Sequence, residues 1–468
     1  MAFMKKEDLN DRLNDSVFAG RDTSKPLPKF QFPAHESRPD DIRQLVEDEL
    51  MLDGNPRQNL ATFCQTFEEP EVRHIMNLAI DRNMIDKTEY PQTAELEIRC
   101  AHMLANLWRA PDAAQTIGTS TVGSSEACML GGMAAKWRWR ARQLAQGKSV
   151  DRPNLVCGPV QVCWEKFCRY WDIEMRQVPM IEDRYLMDVE GMLSLVDENT
   201  ICVVPTFGVT YTGHYEDIKA MSLALDQLAL DKGIEVDIHV DAASGGFLGP
   251  FCAPDIEWDF RLPRVKSIST SGHKYGLAPL GVGWIVWQDR ADLPEDLVFS
   301  VPYLGGSVGT FAINFSRPAG QVAAQYYLFN RLGFGGYKRV QMASYQTAQW
   351  LSGEIEKLGP FTFINRGEPE QGIPAVCFRI TKGQETALGY NLYDLSDRLS
   401  TRGWQVPAFQ LIDGAKDICV MRLMVRQGVS QDMASLLVDD IRRAIEGFKQ
   451  RPVAVGLTEE TRGSYTHN

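Results

Sequence analysis

From residue 58 onward, short β-branched apolar segments alternate with longer helical ones, and this alternation constrains the fold more than any other feature. Residues 155–162, 200–205, 235–240, 267–270 and 283–287 read as strands. Strands joined through helices lie mostly parallel in one sheet, with helices on both faces. Such folds bind ligands where their strands end, at the carboxyl edge. Near Gly333-Phe-Gly-Gly336 the pattern changes, and a long helix is expected from there to about residue 358. Residues 375–380, 404–408 and 418–425 then read as strands, followed by a helix at 432–448. At 468 residues the chain exceeds what one core usually spans. The expected organisation is an N-terminal helix and extended arm at 1–57, a large α/β domain at 58–345, and a smaller C-terminal α/β domain at 346–468. Within the arm, Leu9, Leu13 and Val17 mark a short helix over 7–17, ahead of extended chain at Pro26, Pro28 and Pro33.

Composition removes several function classes. A net charge of −12 does not suit a nucleic-acid binder, which needs a basic surface. The local exception, Lys136-Trp-Arg-Trp-Arg140 with Arg142, lies inside a helical run at 126–144. It reads as a helix with a buried aromatic face and solvated arginines. The ten cysteines contain no C-x-x-C pair, so neither a disulfide framework nor a metal site is expected, and a reducing compartment fits. The N-terminus lacks the apolar core of a signal peptide, and no apolar stretch is long enough to span a bilayer. The expected location is the cytoplasm, with membrane association in acid left open.

Two strand ends carry the chemistry. Ser271-Gly272-His273-Lys274 follows the apolar and basic run 262–268, and Asp241 ends the run 234–240 before Ala242-Ala243-Ser244-Gly245-Gly246. A lysine able to form a Schiff base and a carboxylate able to keep a pyridine nitrogen protonated are the minimum apparatus for pyridoxal phosphate chemistry. Taken singly, each has an ordinary reading: a surface charge for Lys274, a turn cap for Asp241. The apolar, glycine-bearing stretch 277–287 would desolvate the amine and favour its neutral form. Gly123-Ser124-Ser125-Glu126 opens a helix, where serines usually act as N-caps but also suit a phosphate.

Together with these runs, 59–66, 154–161, 205–213 and 309–318 make the sequence similar to the group II pyridoxal phosphate-dependent decarboxylases, and most closely to the bacterial glutamate decarboxylases. The resemblance covers essentially the whole chain. It implies the aspartate aminotransferase-like fold (fold type I) and the conversion of L-glutamate to γ-aminobutyrate and carbon dioxide, which consumes a proton. It also implies a set of residue roles. Lys274 would carry the cofactor and Asp241 its pyridine nitrogen, while Gln161 would stack on the ring. Ser124, Ser125, Ser271 and His273 would hold the phosphate, joined by Ser316 from the neighbouring subunit of a dimer. Thr206 and Thr210 would line the cofactor. Thr62 and the Phe63 backbone would receive the distal carboxylate, with Asn83 and Asp86 contributed by the partner, and Arg422 would meet the α-carboxylate.

The resemblance further implies acid control from both tails. His467 would close the site at neutral pH. The acidic segment holding Glu7, Asp8, Asp11 and Asp15 would become helical in acid and bundle subunits into a hexamer, a trimer of dimers. No long basic amphipathic tail is present, so calmodulin is not an expected partner. The alternatives are a decarboxylase for another acidic amino acid, such as aspartate or cysteine sulfinate, and a cofactor-binding scaffold without catalysis.

Overall fold

The computed structural model describes residues 28–301, 308–458 and 460–461. The chain divides into two compact units, Met1–Pro56 and Arg57–Asn468. In the first, the helix Pro39–Leu50 starts on a proline with Asp40 and Asp41 in its first turn, where the missing N–H and the helix dipole favour them. None of its residues is buried, so it lacks the buried apolar stripe that would distinguish it from the extended arm expected over 1–57. The expected helix over 7–17 lies outside the described residues.

The larger unit is built on seven strands: β1 Ile117–Thr121, β2 Asn154–Cys157, β3 Glu174–Gln177, β4 Thr200–Val204, β5 Asp237–Asp241, β6 Val265–Ser271 and β7 Gly283–Trp287. Their order is β1-β7-β6-β5-β4-β2-β3. The run from β6 through β5, β4 and β2 to β3 is parallel, while β7 lies antiparallel to both β6 and β1. β2, β4 and β7 are buried along their whole length, which explains their continuous apolar runs. The strand expected at 155–162 stops at Cys157, because Val162 already begins the helix Val162–Tyr170. β1 and β3 escaped sequence reading: Ile-Gly-Thr-Ser-Thr carries little apolar signal, and Glu-Met-Arg-Gln is a part-exposed edge.

A short ribbon pairs β8 Phe299–Val301 with β9 Val308–Thr310. The second sheet joins β10 Phe361–Asn365, β11 Ala375–Ile380, β12 Ala408–Gln410 and β13 Cys419–Met424 in the order β10-β11-β13-β12, antiparallel throughout. The helices Leu392–Ser400 and Gln431–Gln450 pack with it around a core of their own. The strand expected at 404–408 appears later, at Ala408–Gln410: Trp404 and Val406 are buried, but Gln405 pairs with Asn59 instead. The helix Gly320–Glu356 runs 37 residues and packs on β10 and β11 of the small sheet and on helices of the larger sheet's layer, with the Trp284 indole of β7 donating to Gln325 at 3.4 Å. Gly333 interrupts it with φ 57° and ψ −176°, so the change seen in the sequence is a break inside a helix that begins earlier than expected. Position 346 falls within this helix.

Candidate active site

A cavity of about 320 Å³ opens at the carboxyl edge of the large sheet. Ser124 and Ser125 reach it from beyond β1, Gln161 from beyond β2, Thr206 and Thr210 from beyond β4, Asp241 from the end of β5, and His273 and Lys274 from beyond β6. Parallel strands place all these ends on one edge, so residues 150 positions apart in sequence share one wall.

Asp241 is buried, with both carboxylate oxygens engaged. Trp164 Nε1–H donates to Oδ2 at 2.9 Å and the Ala243 N–H donates to Oδ1 at 3.1 Å. The strand end is locked as well, since the Phe207 N–H donates to the Asp241 carbonyl at 2.8 Å and the Asp241 N–H to Pro205 at 3.0 Å. The sulfurs of Cys128 and Cys163 lie within 4.8 Å of the Asp241 carboxylate. Burial pushes the Cys128 thiol well up, which keeps it neutral beside that charge.

His273 receives the N–H groups of Gly281 (3.3 Å) and Val282 (3.2 Å) at Nδ1. Nδ1 therefore carries no proton, and the neutral ring donates through Nε2. Burial, helped by the neighbouring Lys274 charge, pushes its pKa down to about 4, consistent with that neutral form. The helix Ser124–Ala145 begins after Gly123 with no side-chain cap, which leaves its first N–H groups to an external anion. Ser271 does not line the cavity; its hydroxyl donates to Ser124 Oγ at 2.7 Å and so supports the cradle from behind. Gln161 does line it, while its Oε1 accepts the Cys163 N–H at 2.7 Å and caps the next helix.

The expected substrate residues form two groups. Phe63 and Arg422 join the Lys274 side: the Lys274 amine lies 5.2 Å from the Phe63 ring centre and the Arg422 guanidinium 4.5 Å from it. Arg422, on β13, donates through Nη1 to the Thr210 carbonyl and through Nη2 to the Ala61 carbonyl at 3.4 Å. Thr62 Oγ1 accepts the Cys64 N–H at 3.1 Å. The second group is separate: Asn83 Nδ2 donates to Ser316 Oγ at 3.2 Å, and the Asp86 N–H donates to the Asn83 carbonyl. None of Asn83, Asp86 and Ser316 lines the cavity of their own chain.

Three supporting residues were missed by sequence reasoning. Trp164 holds Asp241. Glu216 accepts the N–H groups of Thr206 and Met187, each at 2.7 Å. Glu126 accepts the Val122 N–H at one oxygen and the Ile313 and Asn314 N–H groups at the other. Their partners lie far away in sequence or on the backbone, so no local pattern marks them. The basic-aromatic run proves structural: Arg138 and Arg142 pair with Asp237 at 3.0 and 3.1 Å, and Trp139 Nε1–H donates to the Glu198 carbonyl.

A pyridoxal phosphate would find matching groups here. Uncapped helical N–H groups with two serines and a neutral histidine donor stand on one part of the wall, and an anchored carboxylate on another. Thr206 Oγ1 is buried without a partner among the described residues, on the wall beside Asp241.

Comparison with known proteins decides the family. Residues 33–381 match the pyridoxal-dependent decarboxylase conserved domain. The chain belongs to the pyridoxal-dependent decarboxylase family. A glutamate decarboxylase of Aliivibrio fischeri is 54% identical over 467 residues, covering 100% of both chains. One from Lactococcus lactis subsp. lactis is 47% identical over 439 residues, 93% of each. Among solved structures, the Lactobacillus brevis CGMCC 1306 glutamate decarboxylase superposes with a TM-score of 0.89 at 45% identity, covering 94% of this chain and 99% of that one. The decarboxylase thus has the fold type I architecture, and its cofactor is pyridoxal phosphate. No helix among the described residues is long and apolar enough to cross a membrane.

Proposed function

We propose that the decarboxylase acts on L-glutamate, releasing carbon dioxide and γ-aminobutyrate and consuming one proton. The observation that carries this reading is Arg422. Its guanidinium is buried, its Nη groups meet only backbone carbonyls among the described residues, and its Nε has no partner there. Desolvation pulls its pKa down only to about 10, so it stays charged at neutral pH and calls for an anion. The relatives' names supply the choice of glutamate among anionic amino acids.

When bound, pyridoxal phosphate supplies the electron sink that accepts the pair left by the departing carboxylate. The chain's own groups do the rest. Lys274 holds the cofactor through its amine, and Asp241 keeps the ring nitrogen protonated. Ser124, Ser125 and His273 donate to the phosphate, with Ser316 of the partner subunit. Gln161, Thr206 and Thr210 shape the slot. Arg422 takes the α-carboxylate, while Thr62 and the Phe63 N–H take the distal one with Asn83 and Asp86 of the partner subunit. The Phe63 ring, close to both the Lys274 amine and the Arg422 guanidinium, excludes water from the reacting centre.

The same reading makes the enzyme a dimer with shared sites, a hexamer in acid through its acidic N-terminal segment, and a cytoplasmic consumer of protons that His467 silences at neutral pH. Carbon dioxide release from glutamate, aspartate and cysteine sulfinate, followed across about pH 4 to 8, tests the substrate. Preference for glutamate, lost in Lys274→Ala, is the expected result; a yellow protein inert toward glutamate throughout would overturn it.

A further inference from the structure

Behind the cavity, Asp241 stands on a buried stack that runs away from the ligand. Trp164, Asp241 and His239 are all essentially inaccessible. The Trp164 indole donates its N–H to Asp241 Oδ2 at 2.9 Å and meets the His239 ring edge-to-face, centroids 5.2 Å apart. His239 is clamped in turn: Nδ1 is bonded to Ser267 Oγ at 2.7 Å and Nε2 to Ser269 Oγ at 3.1 Å. A β-carbon on Gly131 would overlap the His239 ring, so this glycine lets the Ser124–Ala145 helix approach closely enough to close the stack. Burial drives the His239 pKa down to about 3, so the ring is a neutral aromatic wall and adds no cation beside the carboxylate.

We infer that Trp164 is the positioning residue of Asp241: its indole N–H fixes the plane in which the carboxylate faces the ligand cavity, and the neutral, twice-bonded His239 fixes the indole. The inference rests on the proposed reading of the cavity as the pyridoxal phosphate site. Without the indole donor, Oδ2 loses its only side-chain hydrogen-bond partner among the described residues, and the buried carboxylate can rotate toward the cavity. The cofactor's ring end, rather than its phosphate end, is what this would disturb.

The test compares two single-indole deletions in the full-length holoenzyme. Trp164→Phe keeps an aromatic ring against His239 and removes the donor. Trp139→Phe removes another buried indole bond, to the Glu198 carbonyl at 3.0 Å, from a residue that does not line the cavity. In Trp164→Phe, pyridoxal phosphate affinity should fall by about 10- to 100-fold, the range for a hydrogen bond to a charged group. The absorbance bands of the bound cofactor should shift, and kcat should fall with little change in KM. Trp139→Phe should leave affinity, bands and kcat as in the wild type. If Trp164→Phe fails to fold, inserting 3-benzothienylalanine at position 164 keeps the bicyclic shape and removes only the N–H. A wild-type spectrum and affinity in the Trp164 variant, or equal shifts in both tryptophan variants, would overturn the inference while leaving the cofactor site standing. A wild-type protein whose cofactor absorbance does not depend on Lys274 would instead overturn the reading of the site itself.

Discussion

Glu216 shows how a single buried residue ties the site to pH. Its carboxyl fastens the backbone of Thr206 and Met187, and burial raises its pKa to about 7, with the Asp241 charge adding to the effect. A carboxyl whose folded pKa is raised stabilises the fold fully below its ordinary value, near 4.5, and that contribution is lost as pH rises through about 7. The shift corresponds to something on the order of 3 kcal/mol. His239 and His273 act in the opposite sense: their lowered pKa values favour folding above the ordinary histidine value, an advantage lost as pH falls through about 4 for His273 and about 3 for His239. Glu216→Gln should cost about 1–3 kcal/mol at pH 5, since the amide leaves one N–H without an acceptor. By pH 8 the deficit should narrow, because the variant no longer holds an ionised buried carboxylate. Thermal melts of both proteins at the two values check this, and an equal deficit at each would remove Glu216 from the pH account. Lys274 and Asp241 were legible in the sequence because each follows an apolar strand run with a small-residue loop. Glu216 and Trp164 were not, since Glu216 meets Met187 from the loop after β3, and Trp164 meets Asp241 from the end of β5, only once the sheet has assembled.

At the scale of elements, the proposed phosphate cradle depends on β7. A β-carbon on Gly283 would collide with the backbone of Gly123 and Ser124, so the strand and the helix start touch main chain to main chain. Gly283→Ala should therefore push the uncapped turn out of place without adding or removing a ligand group. The expected outcome is weaker cofactor retention through gel filtration, with lysine and aspartate intact; full retention of the yellow colour would show that the cradle tolerates the shift. Sequence reading located β4 and β7 closely and overlapped β5 and β6, while at β2 it caught the start and overran the end at Cys157. Burial on both faces writes continuous apolar runs in β4 and β7, whereas β6 is largely buried serine and threonine. Sequence reading could not reveal that β7 runs antiparallel, since direction depends on the connections and not on the strand's composition. Nor could it find β1, whose polar residues are buried against neighbours supplied from elsewhere, such as Glu97, which accepts from the Ser120 N–H at 2.9 Å.

Across the whole molecule, the acid response proposed for the tails has its own test. Removing residues 464–468 should extend activity toward neutral pH without altering the acid limb, and an unchanged pH–rate profile would exclude His467. These residues lie outside the described structure, so the expectation rests on the sequence resemblance. What the structure adds is how the two sheets meet beside the cavity. The segment around Leu60 is stitched to the small sheet, its N–H donating to Gln405 at 3.0 Å and its carbonyl accepting from Met424 at 2.9 Å, while the Gln65 N–H donates to the His273 carbonyl at 2.8 Å. This one strap joins Arg422, Phe63 and the lysine loop. Its partners on the small sheet leave the ribosome more than 340 residues after it does. A nascent chain stalled just before residue 405 therefore holds every strand of the large sheet and the strap's anchor at His273, but neither of its anchors at Gln405 and Met424. Synthesis thus imposes an order of assembly, in which the lysine and its carboxylate can be in place while the proposed amino-acid pocket is still unmade.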